Sequence, residues 1–190
     1  TVIRIIPHIY ILFRMLVRFT NYFEEDFFYL KKIFKDKKIN IIDVGASDGI
    51  SAQFFLRNLN CNNIFCYEPQ KVFFAKLLNL KRKFQNIIPY NYGLAKKNYK
   101  MEIYYPYVNF FGFKVFLLTY SFPIKNELKE QINLDFFIKP KIQKSRIIVK
   151  KYKMVKDKID LIKIDTNGSE YQIVDTLFKL IKRDKPVLII

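Results

Sequence analysis

The stretch from residue 41 to residue 49, Ile-Ile-Asp-Val-Gly-Ala-Ser-Asp-Gly, constrains the fold more than any other part of the sequence. An apolar run that ends in an acid and two glycines is typical of a buried strand that enters a ligand-binding loop. Gly45 and Gly49 allow a tight turn, and the first amides of the helix that follows then point toward the ligand. This pattern predicts a nucleotide-type site beside Asp43.

A second acid stands at a suitable distance along the chain. Residues 64 to 67, Ile-Phe-Cys-Tyr, predict another buried strand, and Glu68 follows it directly. An acid in this position can accept hydrogen bonds from both hydroxyls of a ribose, as in proteins that bind NAD or S-adenosylmethionine (SAM). The first loop favours SAM, because Ser47 stands where a dinucleotide loop has glycine. Carboxylates at Asp43 and Asp48 also suit a cationic ligand without phosphate better than a pyrophosphate.

A third strand-and-acid element lies near the end of the sequence. Residues 160 to 170 read Asp-Leu-Ile-Lys-Ile-Asp-Thr-Asn-Gly-Ser-Glu, which predicts a buried strand, a turn and the start of a helix. The repeated strand-helix order predicts an α/β domain with a largely parallel sheet. Because ligands bind at the carboxyl ends of such strands, we expect the three acid-bearing loops to converge there.

Together these elements resemble the motifs of the FkbM-type SAM-dependent methyltransferases, which belong to class I. The resemblance spans roughly residues 38 to 190 and is carried by Asp43-Val-Gly-Ala, Glu68-Pro69, and Lys163-Ile-Asp165 with Gly168 and Glu170. It implies a Rossmann-like fold, with a largely parallel sheet and helices on both faces. It also implies SAM as the cofactor.

The resemblance assigns roles to particular residues. The expected cofactor-binding residues are those of the first loop, the ribose acid and a glycine near the adenine: Asp43, Gly45, Ala46, Ser47, Gly49, Glu68 and Gly93. The expected catalytic residues are Asp165 and Glu170. Gly93 is equally compatible with a plain turn, and Glu170 with a first-turn acid that the helix dipole favours.

Two positions depart from the family pattern. Ser47 stands where the family usually has Asn, and Asn167 stands where it usually has Glu. Ser47 can still form hydrogen bonds. The change at position 167 removes a carboxylate close to the expected active site.

The function predicted from these residues is SAM-dependent methyl transfer, most simply to an oxygen of a sugar or another hydroxylated small-molecule or glycan acceptor. The alternatives are a nucleic-acid methyltransferase, an inactive SAM-binding or scaffold domain, and an NAD-dependent oxidoreductase. No Asn/Asp-Pro-Pro-aromatic motif is present, which argues against methylation of a base amino group. Asp165 is the first candidate for a base that removes the proton of the acceptor hydroxyl.

Composition narrows the remaining possibilities. The chain has 190 residues and is 51% hydrophobic, which is enough for one domain with a proper core. The net charge of +17 suggests a polyanionic partner, but the lysines are scattered as in a product of AT-rich coding sequence, so nucleic acid is the weaker expectation. Two cysteines and one histidine, His8, predict a reducing, cytoplasmic location and no metal site.

We predict an N-terminal helical segment at 1–37 and an incomplete SAM-binding domain at 38–190. Within residues 1–19, three arginines and Pro7 disfavour a membrane-spanning helix. An amphipathic helix over about 8–19 would instead cover the sheet or touch a membrane surface. An aromatic insertion at about 99–144 would form a substrate lid or an extra hairpin. Residues 187–190 predict a final strand at the edge of a truncated sheet.

Overall fold

In the computed structural model, the described residues are 25–190 apart from 111, 118 and 119, together with positions 6, 9, 12 and 16. They belong to two units. The larger unit is formed by Phe23–Lys100 and Ile147–Ile190. The smaller unit is formed by Met101–Arg146 and the described positions before residue 20.

Helices and strands alternate through most of the larger unit. In chain order the elements are α1 (Glu25–Phe34), β1 (Ile39–Val44), α2 (Ile50–Asn58), β2 (Cys61–Tyr67), α3 (Lys71–Lys83), β3 (Ile87–Tyr90), β4 (Gly93–Ala95), β5 (Tyr99–Phe110), β6 (Phe113–Phe116), α4 (Lys125–Asp135), β7 (Lys141–Lys151), β8 (Leu161–Ile164), α5 (Glu170–Asp184) and β9 (Val187–Ile189).

A parallel five-stranded sheet organises the larger unit, in the order β3-β2-β1-β8-β9. Strand β1 lies at its centre. Asp43 on this strand is paired in register with Cys66 of β2 on one side and with Lys163 of β8 on the other. The predicted α/β fold with a largely parallel sheet is therefore confirmed.

Helices cover both faces of this sheet, because successive strand residues point to opposite sides. On β1, Ile41 packs into a core shared with α1, α2 and α3, whereas Ile42 packs into a second core shared with α5. Strand β8 is buried along its whole length, as expected for a parallel strand with helices on either side.

The smaller unit corresponds to most of the sequence predicted as an insertion. Strands β5 and β6 pair as an antiparallel hairpin, for example Tyr107 with Phe116. Residues of the hairpin and of α4 form a separate hydrophobic core that contains Val108, Leu128 and Ile132. A second, four-stranded sheet has the order β4-β7-β5-β6. The segment thus has a hairpin, and its role as a substrate lid stays a prediction.

The predicted amphipathic helix at about 8–19 lies outside the described residues except for positions 9, 12 and 16. In the described part of the chain, none of the helices has the length and apolar character needed to cross a membrane. The division of the sequence at residue 37 stays a prediction; helix α1, which precedes that point, packs through Phe27, Leu30 and Phe34 into the core of the parallel sheet.

The loop after β1 lies close to the backbone at the end of β8. Gly45 has a φ angle of 75°, and a Cβ atom at this position would overlap the carbonyl oxygen of Asp165. The amide of Asp165 donates a hydrogen bond to the carbonyl of Val44, at 3.1 Å. Glycine at 45 therefore lets the ends of β1 and β8 touch.

We predict that Gly45→Ala lowers the free energy of unfolding by about 3 kcal/mol or more, because steric overlap adds to the cost of a positive φ. Gly168→Ala is the matched control, since Gly168 has a φ of 100° and open space around its Cα atom. It should cost only about 1 to 2 kcal/mol. Urea unfolding measures both values, and equal losses in the two variants would contradict the close approach.

Candidate functional site

Four charged side chains gather at the carboxyl ends of three adjacent strands. Asp43 lies on β1, Glu68 follows β2, Lys163 lies on β8, and Asp165 follows β8. Their positions alternate with residues of the α5 core, so all four belong to the face of the sheet that α1, α2 and α3 cover. The structure therefore brings together three acids that the sequence singled out, with a lysine among them.

Glu68 is buried, with 4% of its surface exposed. One carboxylate oxygen accepts a hydrogen bond from the amide of Ser47 at 2.9 Å, and the other accepts one from the amide of Gln70 at 2.8 Å. Burial raises the pKa of Glu68 to about 7, although the two amide hydrogen bonds counteract part of this effect. The carboxylate thus links the first loop to the start of α3. The two amides offset only part of the cost of burying its charge.

The first loop is fixed to the end of β2 by its backbone. The amides of Gly45 and Ala46 both donate to the carbonyl of Tyr67, at 3.0 and 3.2 Å. Ser47 has a φ of 49°, a conformation that Asn tolerates better than Ser. Its buried Oγ atom has no hydrogen-bond partner among the described residues. Gly49, with a φ of 81°, is the N-cap of α2, so the first amides of this helix face the strand ends.

Asp43 is completely buried and engaged by two groups. Its Oδ2 atom accepts a hydrogen bond from the hydroxyl of Ser51 on α2, at 2.5 Å. Its Oδ1 atom lies 3.3 Å from the Nζ atom of Lys163. The geometry at Oδ1 meets the distance of an ion pair but not the alignment of a hydrogen bond. Both oxygens of Asp43 therefore face internal partners, and a direct contact with a cofactor stays a prediction.

The side chain of Asp165 lies at the exposed end of this group of charged side chains. Its carboxylate is 67% exposed, and its Oδ2 atom lies 3.4 Å from the Nζ atom of Lys163. A mostly exposed carboxylate with one anchored oxygen is well suited to contact a second ligand. Its predicted role as a base is compatible with this position.

Glu170 makes a different set of contacts. Its carboxylate accepts hydrogen bonds from the amides of Thr166 and Gly168, each at 2.9 Å. Burial alone would raise the pKa of Glu170, but these hydrogen bonds and one from its own amide hold the pKa below the ordinary value. Glu170 thus stabilises the turn that follows Asp165, and a direct catalytic role for it stays a prediction.

Gly93 begins β4, and a Cβ atom there would make ordinary contacts with Val149 and Pro69. The side-chain amide of Asn91 donates to the carbonyls of Glu68 and Pro69, at 3.0 and 3.2 Å. The segment before Gly93 therefore supports the loop that carries Glu68. Its role near an adenine stays a prediction.

The sequence motif included Lys163 without giving it a role, and Ser51 and Asn91 were missed as contributors to this site. A signal for Lys163 was present, because a charged residue inside an apolar strand is rarely fully buried unless it is paired. Ser51 and Asn91 gave no such signal. Their partners depend on where α2 and β3 pack beside the strand ends.

The residues present fit SAM better than a dinucleotide. Asp43, Glu68 and Asp165 supply three carboxyl groups at the strand ends, and Lys163 supplies one ammonium group, so a cationic ligand is favoured there over a pyrophosphate. Ribose hydroxyls donate hydrogen bonds. The carboxylate of Glu68, whose burial is only partly offset by backbone amides, could accept them. The inward amides at the start of α2 would accommodate a ligand carboxylate.

Comparison with known proteins agrees with this geometry. Residues 43–190 match the family model of the methyltransferase FkbM domain. The fold is similar to the crystal structure of methyltransferase FkbM from Methylobacillus flagellatus KT, with a TM-score of 0.51 and 16% sequence identity. That similarity covers 80% of this chain but only 32% of the other, and at this identity it concerns the fold alone. None of the curated proteins matches the sequence.

We predict that Glu68 makes stability fall as the pH rises from about 4.5 to about 7. In this window the folded chain keeps the proton of Glu68, whereas the unfolded chain, with an ordinary pKa of 4.5, has released it. The contribution is about 3 kcal/mol over the whole window. Glu68→Gln should remove it from the free energy of unfolding measured in urea at a series of pH values.

Glu170→Gln is the control for this measurement. Because the pKa of Glu170 is lowered on folding, its contribution has the opposite sign and is lost as the pH falls through that pKa. The variant should keep the decline between pH 4.5 and 7. Equal slopes for the wild type and Glu68→Gln in this window would contradict the environment described for Glu68.

Proposed function

The chain belongs to the FkbM methyltransferase domain family, and on that premise we propose that it transfers a methyl group from SAM to a hydroxyl oxygen of a sugar or another hydroxylated small-molecule or glycan acceptor. The observation that carries the proposal is the meeting of Asp43, Glu68 and Asp165 at the ends of three neighbouring parallel strands. This is the edge where α/β sheets bind their ligands.

In this proposal the first loop and Glu68 hold the cofactor, which supplies a methyl group activated by a positively charged sulfur. The buried carboxylate of Glu68 accepts the ribose hydroxyls, and these hydrogen bonds favour its ionised form. The amides at the start of α2 bind the carboxylate end. Ser47 Oγ, which is buried without a described partner, is available for one more hydrogen bond in the loop.

Asp165 acts on the acceptor. Its exposed carboxylate would accept a hydrogen bond from the acceptor hydroxyl and take its proton as the new bond forms. Much of the acceleration of such a displacement comes from holding the reacting atoms in line, so the fixed position of Asp165 is as important as its basicity. Glu170 contributes by fixing the turn that follows Asp165.

The proposed acceptor class is supported by an exposed aromatic side chain. Tyr171 exposes 81% of its surface and immediately follows Glu170 at the start of α5. An exposed tyrosine at the start of the helix that follows the Asp165 turn can stack on the apolar face of a sugar and bond its hydroxyls.

Two alternatives to this proposal remain: a nucleic-acid acceptor, and a domain that binds SAM without methyl transfer. The net charge of +17 favours a nucleic-acid acceptor, which steep salt dependence of binding would reveal. Asn167, in place of a carboxylate, favours a domain that binds SAM without turnover. The proposal includes a cytoplasmic location; residues 1–19 would either pack on the domain or make a peripheral membrane contact.

We predict that the chain binds SAM in a calorimetric titration and that Glu68→Ala weakens this binding by at least roughly tenfold, because hydrogen bonds to a charged group are lost. Glu130→Ala is the matched control, since Glu130 is an exposed acid on α4. It should leave the affinity unchanged. Circular dichroism should show that both variants remain folded.

The proposal fails if the folded wild-type chain binds NAD in preference to SAM. It also fails if Glu68→Ala and Glu130→Ala bind SAM with the wild-type affinity. Transfer of a radiolabelled methyl group to nucleic acid, with no transfer to hydroxylated small molecules or glycans, would favour the alternative acceptor.

A further inference from the structure

Lys163 is a charged residue in the middle of a fully buried strand. Its side chain is only 9% exposed, and its neighbours on β8 belong to the two cores of the sheet. Burying an ammonium group costs several kcal/mol unless opposite charges compensate it. Packing alone does not explain why a charged residue stands at this position.

Two carboxylates compensate this ammonium group. Asp43 is the register partner of Lys163 on the neighbouring strand, and the Nζ to Oδ1 distance is 3.3 Å. Asp165 lies two residues further along the chain, on the same face, with an Nζ to Oδ2 distance of 3.4 Å. Lys163 therefore joins a buried acid beside the first loop to the exposed acid of the site.

Lys163 remains charged in this position. Burial lowers its pKa, but the carboxylates of Asp43 and Asp165 outweigh burial and raise the pKa above the ordinary value. The ammonium group thus attracts Asp165 throughout the neutral range.

The Asp43 side of this arrangement is rigid. The second oxygen of Asp43 is held by the hydroxyl of Ser51, whose helix α2 starts directly after the first loop. An apolar pair of similar size could fill the same space at no loss of stability, since buried ion pairs are often replaceable in this way. Stability alone therefore does not account for Asp43 and Lys163.

Asp165 is the only one of the three groups that is open to a ligand. Its backbone is fixed, because its amide bonds the carbonyl of Val44 and its own carbonyl lies against Gly45. Its side chain is 67% exposed, and without Lys163 the carboxylate would be free to change rotamer. The backbone of Asp165 is thus held by β1, and its side chain is held by Lys163, which is itself paired with Asp43 of β1.

We propose that Lys163 is a positioning residue, which orients the Asp165 carboxylate toward the acceptor hydroxyl and links it, through Asp43, to the loop that holds the cofactor. This inference rests on the methyl-transfer function proposed above. Occupation of the first loop is transmitted to Asp165 through the ion pair, so cofactor binding prepares the acceptor side. Asp43 acts as the buried anchor of this link.

The test uses NMR of the chain labelled with ¹³C at the aspartate carboxyl groups, in which the Asp165 signal is identified by its loss in Asp165→Asn. The main variant is Asp43→Asn with Lys163→Met, which removes both buried charges together and leaves neither unpaired. Lys37→Met is the matched control, because it breaks the 2.7 Å pair with Asp160 that lies just before β8, at the opposite end of this strand.

The expected result has two parts. Without cofactor, the Asp165 signal shifts in the double variant and stays in place in Lys37→Met. With SAM at a concentration that calorimetry shows to saturate each variant, the signal moves in the wild type and in Lys37→Met, but this movement is lost in the double variant.

Other results overturn the proposal in distinguishable ways. An Asp165 signal that is the same in the double variant and the wild type, with and without SAM, overturns the role of Lys163 and leaves the methyl-transfer function standing. A folded wild-type chain that binds no SAM overturns the proposed function and the link to the cofactor together.

Asp165→Asn gives a second measurement that does not depend on folding of the double variant, because Asp165 is mostly exposed. The ¹⁵N signal of the Lys163 ammonium group should shift in this variant. It should not shift in Asp175→Asn, which removes an exposed partner of Lys96. An unchanged Lys163 signal in Asp165→Asn overturns the proposal.

Discussion

The candidate site depends on the parallel register of β1 with its two neighbours. Because Asp43 pairs in register with Cys66 on one side and with Lys163 on the other, the strands end together and their following loops meet. The absence of a side chain at Gly45 then lets the first loop touch the backbone of Asp165. A one-residue slip of any of these strands would move its side chains to the other face of the sheet.

Charges at these strand ends divide into a buried group and an exposed group. Asp43 and Lys163 compensate one another inside the protein, whereas the burial of Glu68 is offset mainly by two backbone amides. This difference explains why the pKa of Glu68 is raised and why ligand hydroxyls are suitable partners for it. Asp165 remains open to solvent and can serve a second ligand. In the proposed reaction Glu68 would serve the cofactor and Asp165 the acceptor, a division of roles that a two-substrate reaction requires.

Much of the fold follows from local patterns. The apolar runs before Asp43, Glu68 and Asp165 predicted the strands, and the acids after them predicted the ligand edge. The contacts of Lys163 could not be predicted from these patterns, because they require β8 to lie beside β1 although more than a hundred residues separate the two strands. The hydrogen bonds of Glu170 to its own turn also depend on loop geometry that spacing does not reveal. Residues 99–144 lack a regular period, so the sequence alone does not decide between a hairpin and a substrate lid.

We propose that the ends of β1, β2 and β8 form the cofactor site. A crystal structure of the chain with S-adenosylhomocysteine would show where the cofactor binds. We expect the ribose hydroxyls within hydrogen-bond distance of the Glu68 carboxylate, with the homocysteine portion against the loop from Gly45 to Gly49 and the sulfur toward Asp165. A ligand bound away from these strand ends, or a ribose with no contact to Glu68, would contradict the account.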